Sequence, residues 1–129
     1  MDTSTSEQSH LTGISLGAII VGWLAIEFVA FLVGFGVSAT MGQTNEAWAI
    51  VVWIGGPLGA LIGGYIAGRM AKRSRGLHGF LADSISVGLA FGLAYSQVGS
   101  VGPILTPGVL GPWGLSLVAG LLGGSFAPR

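Results

Sequence analysis

The sequence predicts an all-α integral membrane protein, a bundle of four transmembrane helices made of two helical hairpins in tandem. Three observations lead to this fold class. The composition is 51% hydrophobic and only 8% charged, whereas soluble domains carry about 25% charged residues. Four apolar runs approach or exceed the roughly 20 residues that cross a hydrocarbon core. Related residues also recur at similar offsets between the two halves of the chain.

The N-terminal part of the chain is predicted to hold a tail and the first transmembrane helix. Residues 1–12 are polar and are expected to form a short solvated tail, and residues 13–129 form one transmembrane domain. The first apolar run predicts a helix over residues 14–37, in which Ser15 and Glu27 are the polar interruptions.

The second and third helices are predicted over residues 47–69 and 77–95, on either side of a basic loop. Pro57 lies near the middle of the second helix and has no N–H to donate to the carbonyl of Trp53. We therefore expect a kink or an opening of the helix at that point. Broken helices of this kind sometimes line transport sites.

The fourth helix is predicted over residues 112–126, with Pro112 as an acceptable first-turn residue. Before it, residues 98–111 form an apolar link rich in glycine and proline. This link is poorly suited to a regular helix, and its place at the interface or inside the membrane stays open.

The basic residues predict the orientation of the chain. Four of the five lie around the loop between helices two and three, and the fifth is Arg129. The positive-inside rule then places both termini and this loop on the cytoplasmic side of a bacterial inner membrane. Lys72, Arg73 and Arg75 are expected to orient the loop and to meet lipid head groups. Three aromatic residues suit the opposite boundary: Trp48, Tyr95 and Trp113.

Residue matches between the halves indicate an internal repeat. A shift of 60 positions places Trp53 on Trp113 and Arg69 on Arg129, and a slightly different shift places Glu27 on Asp83. Because each unit would cross the membrane twice, the two hairpins would run parallel.

Small residues are predicted to form the helix-packing faces. On helix two they occupy two neighbouring rows, and small side chains let helices approach closely in lipid. Packing inside the bundle is one interpretation; because two rows exceed the need of one neighbour, an oligomer or partner contact is the other. The predicted packing residues are Gly55, Gly56, Gly59, Ala60, Gly63, Gly64, Gly68, Gly88, Gly92, Gly120 and Gly124.

Two carboxylates lie within the predicted helices, where an ionised side chain is costly. The helical neighbours of Glu27, Trp23 among them, are expected not to pair with it, so Glu27 should face the bundle, carry a proton or meet a polar group from another helix. A proton relay, an ion site or a neutral hydrogen-bonded carboxyl all fit. For Asp83 we expect an ion pair with Arg69 that joins helices two and three.

No catalytic motif is found, which indicates a protein that is not an enzyme. The chain has no cysteine and zero net charge, so thiolate chemistry is excluded and nucleic acid is not an expected partner. We expect no cofactor and no metal site. His78 leaves open a weaker alternative, a subunit that binds a pigment or haem.

The residues Gly63-Gly64-Tyr65-Ile66-Ala67-Gly68-Arg69, followed by Gly76-Leu77-His78-Gly79, carry a family resemblance. This stretch resembles small bacterial four-helix membrane proteins of unknown function, of the YrzE-like type. The match covers about a fifth of the chain, and Asp83 departs from that pattern. The resemblance implies the four-helix topology and no known activity.

The first functional expectation is a structural or accessory subunit that packs through its glycine faces in a homo-oligomer or a larger membrane complex. The second is a small ion- or proton-coupled channel or transporter that uses Glu27 and Asp83. The double glycine row favours the first, and the two carboxylates with Pro57 favour the second.

Overall fold

The computed structural model describes residues 13–129, and the predicted tail over residues 1–12 lies outside that range. Within it the chain is helical and contains no strand. Four helices are long and apolar enough to cross a membrane, in agreement with the sequence. They are α1 (Leu16–Met41), α2 (Asn45–Met70), α3 (Arg75–Val98) and α4 (Pro107–Phe126).

Local capping residues set the limits of the first helices. The hydroxyl of Ser15 accepts the N–H of Ala18 at the start of α1, and the hydroxyl of Thr44 accepts the N–H of Ala47 at the start of α2. Gly42 ends α1 with a φ of 67°, a conformation that costs glycine little. The helix therefore continues to Met41, beyond the predicted end at residue 37.

Helix α2 changes its winding before Pro57. Residues Val51–Gly55 are π-helical, and the N–H of Gly56 donates to the carbonyl of Val51. Since Pro57 has no N–H, the carbonyl of Trp53 cannot receive the usual α-helical bond from it. The wider turn lies where this bond is missing, and the helix resumes as far as Met70.

Helix α4 begins at Pro107, earlier than the sequence predicted. Thr106 has the extended backbone of an N-cap, and Pro107 occupies the first turn. Pro112 was the wrong choice for that position, because it lies inside the helix and is buried. The irregular link is thereby shortened to residues 99–106, and only Ile104 within it is buried.

Close backbone contacts hold the bundle together. A Cβ atom added to Gly63 of α2 would collide with the carbonyl of Gly22 on α1. A Cβ atom on Gly64 would collide with the carbonyl of Gly120 on α4, which also faces Gly79 of α3. The two small-residue rows of α2 thus serve different neighbours inside the same chain.

The outer surface of the bundle is apolar. Phe28, Phe31 and Phe35 of α1 are each more than 60% exposed, and large aliphatic side chains cover the outer sides of the other helices. A surface of this kind suits lipid, because contiguous apolar patches are rare on monomers in water.

The two ends of the bundle differ in charge. Lys72, Arg73, Arg75 and Arg129 line a common cavity formed by the α2–α3 loop and the end of α4. We call this end of the molecule the basic end. The α1–α2 and α3–α4 loops lie at the opposite end.

Candidate functional site

A cavity of about 250 Å³ extends from the middle of the bundle toward the end opposite the basic end. All four helices contribute to its walls, which are mainly apolar. The polar exceptions are two carboxylates and two serines. The lining residues are Ile26, Glu27 and Ala30 of α1, Trp48, Val51, Val52 and Gly56 of α2, Asp83, Ser86, Val87 and Ala90 of α3, and Pro112, Trp113 and Ser116 of α4.

Asp83 is the buried acid of this cavity, with 1% of its surface exposed. Ser116 of α4 donates its hydroxyl to the carboxylate, at 2.9 Å from each oxygen. The close approach of α3 and α4 at Gly79 and Gly120 brings the two side chains together.

The predicted ion pair between Asp83 and Arg69 is wrong. Among the described residues 13–129 no ion pair joins them, and the side chain of Arg69 is exposed at the end of α2. The physical reason is that Asp83 faces inward toward α4, where Ser116 satisfies it.

Glu27 lies at the open side of the same cavity and is exposed. The hydroxyl of Ser86 on α3 donates to its Oε1 atom at 2.7 Å. The indole N–H of Trp23, one turn earlier on α1, donates to the same oxygen at 3.1 Å. The expectation that no helical neighbour pairs with Glu27 is therefore wrong for Trp23.

The arrangement can hold a proton or a cation. Carboxylate oxygens accept protons and coordinate hard cations. The hydroxyls of Ser86 and Ser116 orient the two acids, and Trp48 and Trp113 add aromatic rings to the walls. An acid at the opening and an acid in the interior thus share one space.

His78 is fully buried at the start of α3. Its Nε2 atom lies 2.8 Å from the backbone nitrogen of Ser15, and its Nδ1 atom lies 2.9 Å from the carbonyl of Ser74. Because the Ser15 N–H must donate, Nε2 accepts and Nδ1 carries the proton. Both ring nitrogens are occupied by backbone groups, so the imidazole joins α1 to the α2–α3 loop and has no free nitrogen for haem.

Most of the predicted packing residues are buried between helices, as described for Gly63 and Gly64. Gly56 is only partly buried, and a Cβ atom there would meet nothing within 4 Å. A Cβ atom on Gly88 or Gly92 would also meet nothing within 4 Å, and both residues are exposed on the outer side of α3.

Sequence reasoning found Glu27 and Asp83 but missed Ser86, Ser116 and the cavity itself. Serine is common in close-packed helices, so a serine does not by itself indicate a functional site. Its role becomes visible only when the rotation of each helix about its axis is known. Across residues 13–129 no group of three or more His, Cys, Asp or Glu side chains could hold a metal ion.

Comparison of the chain with family models, with curated proteins and with solved structures gives no match. The YrzE-like resemblance therefore stays an expectation that rests on its motif.

Proposed function

We propose that this protein is a multi-pass membrane protein that binds a proton or a small cation between Glu27 and Asp83 and conducts it across the bundle. One observation carries the proposal: Glu27 and Asp83, the two carboxylates that lie well inside the apolar helices, line a single cavity. An isolated ionised acid on a lipid-facing surface only destabilises the protein in the membrane. Two acids in one cavity, by contrast, offer successive binding sites for a proton or cation.

The bilayer placement rests on the four apolar helices and the apolar exterior. We assign the basic end to the cytoplasmic side of a bacterial inner membrane, with both termini on that side, because positive residues collect there. The cavity then extends from the middle of the membrane toward its outer side. We also assign the two hairpins to an ancient tandem duplication, since Glu27 and Asp83 match in the sequence and share a cavity.

The proposed path begins at Glu27, which is exposed, and reaches Asp83, which is buried. Ser86 and Ser116 hold the two acceptors in place through their hydroxyl groups. A proton or cation that neutralises Glu27 removes the cost of a charge in lipid and can then pass to the inner acid. Passage beyond Asp83 requires a rearrangement of α3 against α4.

Flux in proteoliposomes tests the proposal. A pH-sensitive dye reports proton entry, and sodium and potassium gradients are tested in parallel. We expect flux above that of empty liposomes and a loss of at least about tenfold in Glu27→Gln and in Asp83→Asn, since intramembrane carboxylates serve as proton and ion relays. Glu46→Gln is the matched control, because Glu46 lies in the first turn of α2 and outside the cavity lining. Equal flux in all three variants would reject the role of the two acids.

A structural or accessory subunit is the second candidate. The small-residue face that supports it lies on α3 and not on α2, where the sequence predicted it. Apart from Gly56, the small residues of α2 are covered within the chain, but Gly88 and Gly92 leave an uncovered small-residue face on α3. Small exposed faces suit close helix association in lipid. Gly88→Leu with Gly92→Leu should then reduce the size of the complex in mild detergent, while Gly13→Leu should not. An unchanged size would remove this candidate.

A further inference from the structure

A second cavity, of about 580 Å³, lies at the basic end of the bundle. Four of the five lysine and arginine residues of the chain contribute to it. Within the described part of the chain no acidic side chain lines it. The lining residues are Lys72, Arg73, Ser74, Arg75, Gly76, Ser125, Ala127 and Arg129.

Packing between α3 and α4 fixes the floor of this cavity. The guanidinium of Arg75 donates to the carbonyl of Ala127 at 3.0 Å. A Cβ atom on Gly124 would collide with the carbonyl of Arg75, and one on Gly76 would lie 2.5 Å from the hydroxyl of Ser125. These contacts between α3 and the end of α4 bring Arg129 close to basic residues that lie more than fifty positions earlier in the sequence.

The remaining polar groups of the lining favour an anion. The hydroxyl of Ser74 makes no capping bond to α3. The first N–H groups of a helix have no partner within it, and the helix dipole is positive there. These groups add to the positive potential of four cationic side chains.

We propose that this cavity binds a phosphate-bearing anion, either the head group of an anionic phospholipid or a free phosphate. A tetrahedral group with several acceptor oxygens matches the arginine guanidinium and lysine ammonium groups that line this one cavity. This inference is independent of the carboxylate cavity, because the two cavities share no lining residue.

The positive-inside rule requires basic residues at this end of the protein but does not require that they line one cavity. Arg69 serves the positive-inside rule as well as any other basic residue, yet it does not line the cavity. Arg69→Gln is therefore the matched control, because it removes one positive charge from the same end of the protein without touching the site.

Anion binding is tested with the purified protein in nanodiscs of neutral phosphatidylcholine. In one arm, native mass spectrometry measures the retention of added phosphatidylglycerol. In the other, calorimetry measures the binding of inorganic phosphate and of pyrophosphate. Arg73→Gln and Arg129→Gln should each weaken binding about fivefold, from the free energy that one basic residue contributes near an anionic surface, and Arg69→Gln should leave it unchanged.

Each outcome decides the proposal. Retention of phosphatidylglycerol without binding of either soluble probe supports a site for lipid head groups. Binding of inorganic phosphate or pyrophosphate supports a site for a soluble phosphate. The proposal is overturned if no probe binds, or if Arg69→Gln weakens binding as much as Arg73→Gln does.

Discussion

Ser116 of α4 donates its hydroxyl to both carboxylate oxygens of Asp83 on α3, at 2.9 Å from each. This contact satisfies an acid that is almost completely buried among apolar helices. It also holds α3 against α4 at the inner wall of the cavity. The same contact therefore serves both the fold and the proposed site.

Replacement of Ser116 tests its structural role. Ser116→Ala should lower the free energy of unfolding by about 1–3 kcal/mol, because a buried acceptor loses its donor. The measurement is the unfolding midpoint in mild detergent. Ser84→Ala is the control, since the Ser84 hydroxyl donates to the carbonyl of Phe80 on its own helix. Equal midpoints for wild type and Ser116→Ala would contradict this role.

Replacement of Gly64 tests the close packing of α2. Gly64→Ala should lower the free energy of unfolding by about 1–3 kcal/mol, because the added Cβ would overlap the backbone of Gly120. Gly88→Ala makes the same chemical change where no atom lies within 4 Å. It should be neutral or stabilise the helix by up to about 1 kcal/mol. The measurement is an unfolding titration of each variant. Equal shifts of the two unfolding midpoints from that of the wild type would refute this packing.

Replacement of His78 tests the joint between α1 and the α2–α3 loop. His78→Ala should destabilise the protein by about 1–3 kcal/mol, since the Ser15 N–H and the Ser74 carbonyl both lose a partner. Leu77→Ala, at an exposed neighbour, is the control for stability.

A haem titration of the wild-type protein gives a second measurement on His78. Because backbone groups occupy both ring nitrogens, we expect no spectral shift that depends on this residue. A shift that disappears in His78→Ala would show that the imidazole is free to bind haem.

The sequence predicted the helices because their length and apolar character are local properties. Pro57 also carried a local signal, and the winding of α2 changes next to it. The start of α4 was harder to predict, since Pro107 and Pro112 both suit a first turn. In the structure Thr106 has the extended backbone of an N-cap and Pro112 lies inside the helix, so the start is at Pro107.

The candidate site could be predicted only in part. Glu27 and Asp83 stand out as charges in apolar runs, but their partners depend on how the helices rotate about their axes. Ser86 reaches Glu27 from 59 positions away, and Ser116 reaches Asp83 from 33. The expected pair with Arg69 failed because charge complementarity in the sequence says nothing about which way Asp83 faces.

The most direct test of the central claim is water access to the cavity of Glu27 and Asp83. The chain has no cysteine, so single-cysteine variants can be labelled with a polar maleimide, which reacts with the thiolate and hence needs water. Val87 lines the cavity, whereas its neighbour Gly88 is exposed on the outer side of α3. In proteoliposomes we expect Val87→Cys to react at least about tenfold faster than Gly88→Cys, because a thiol in lipid stays protonated. Equal or reversed rates would contradict a water-accessible path to the two acids.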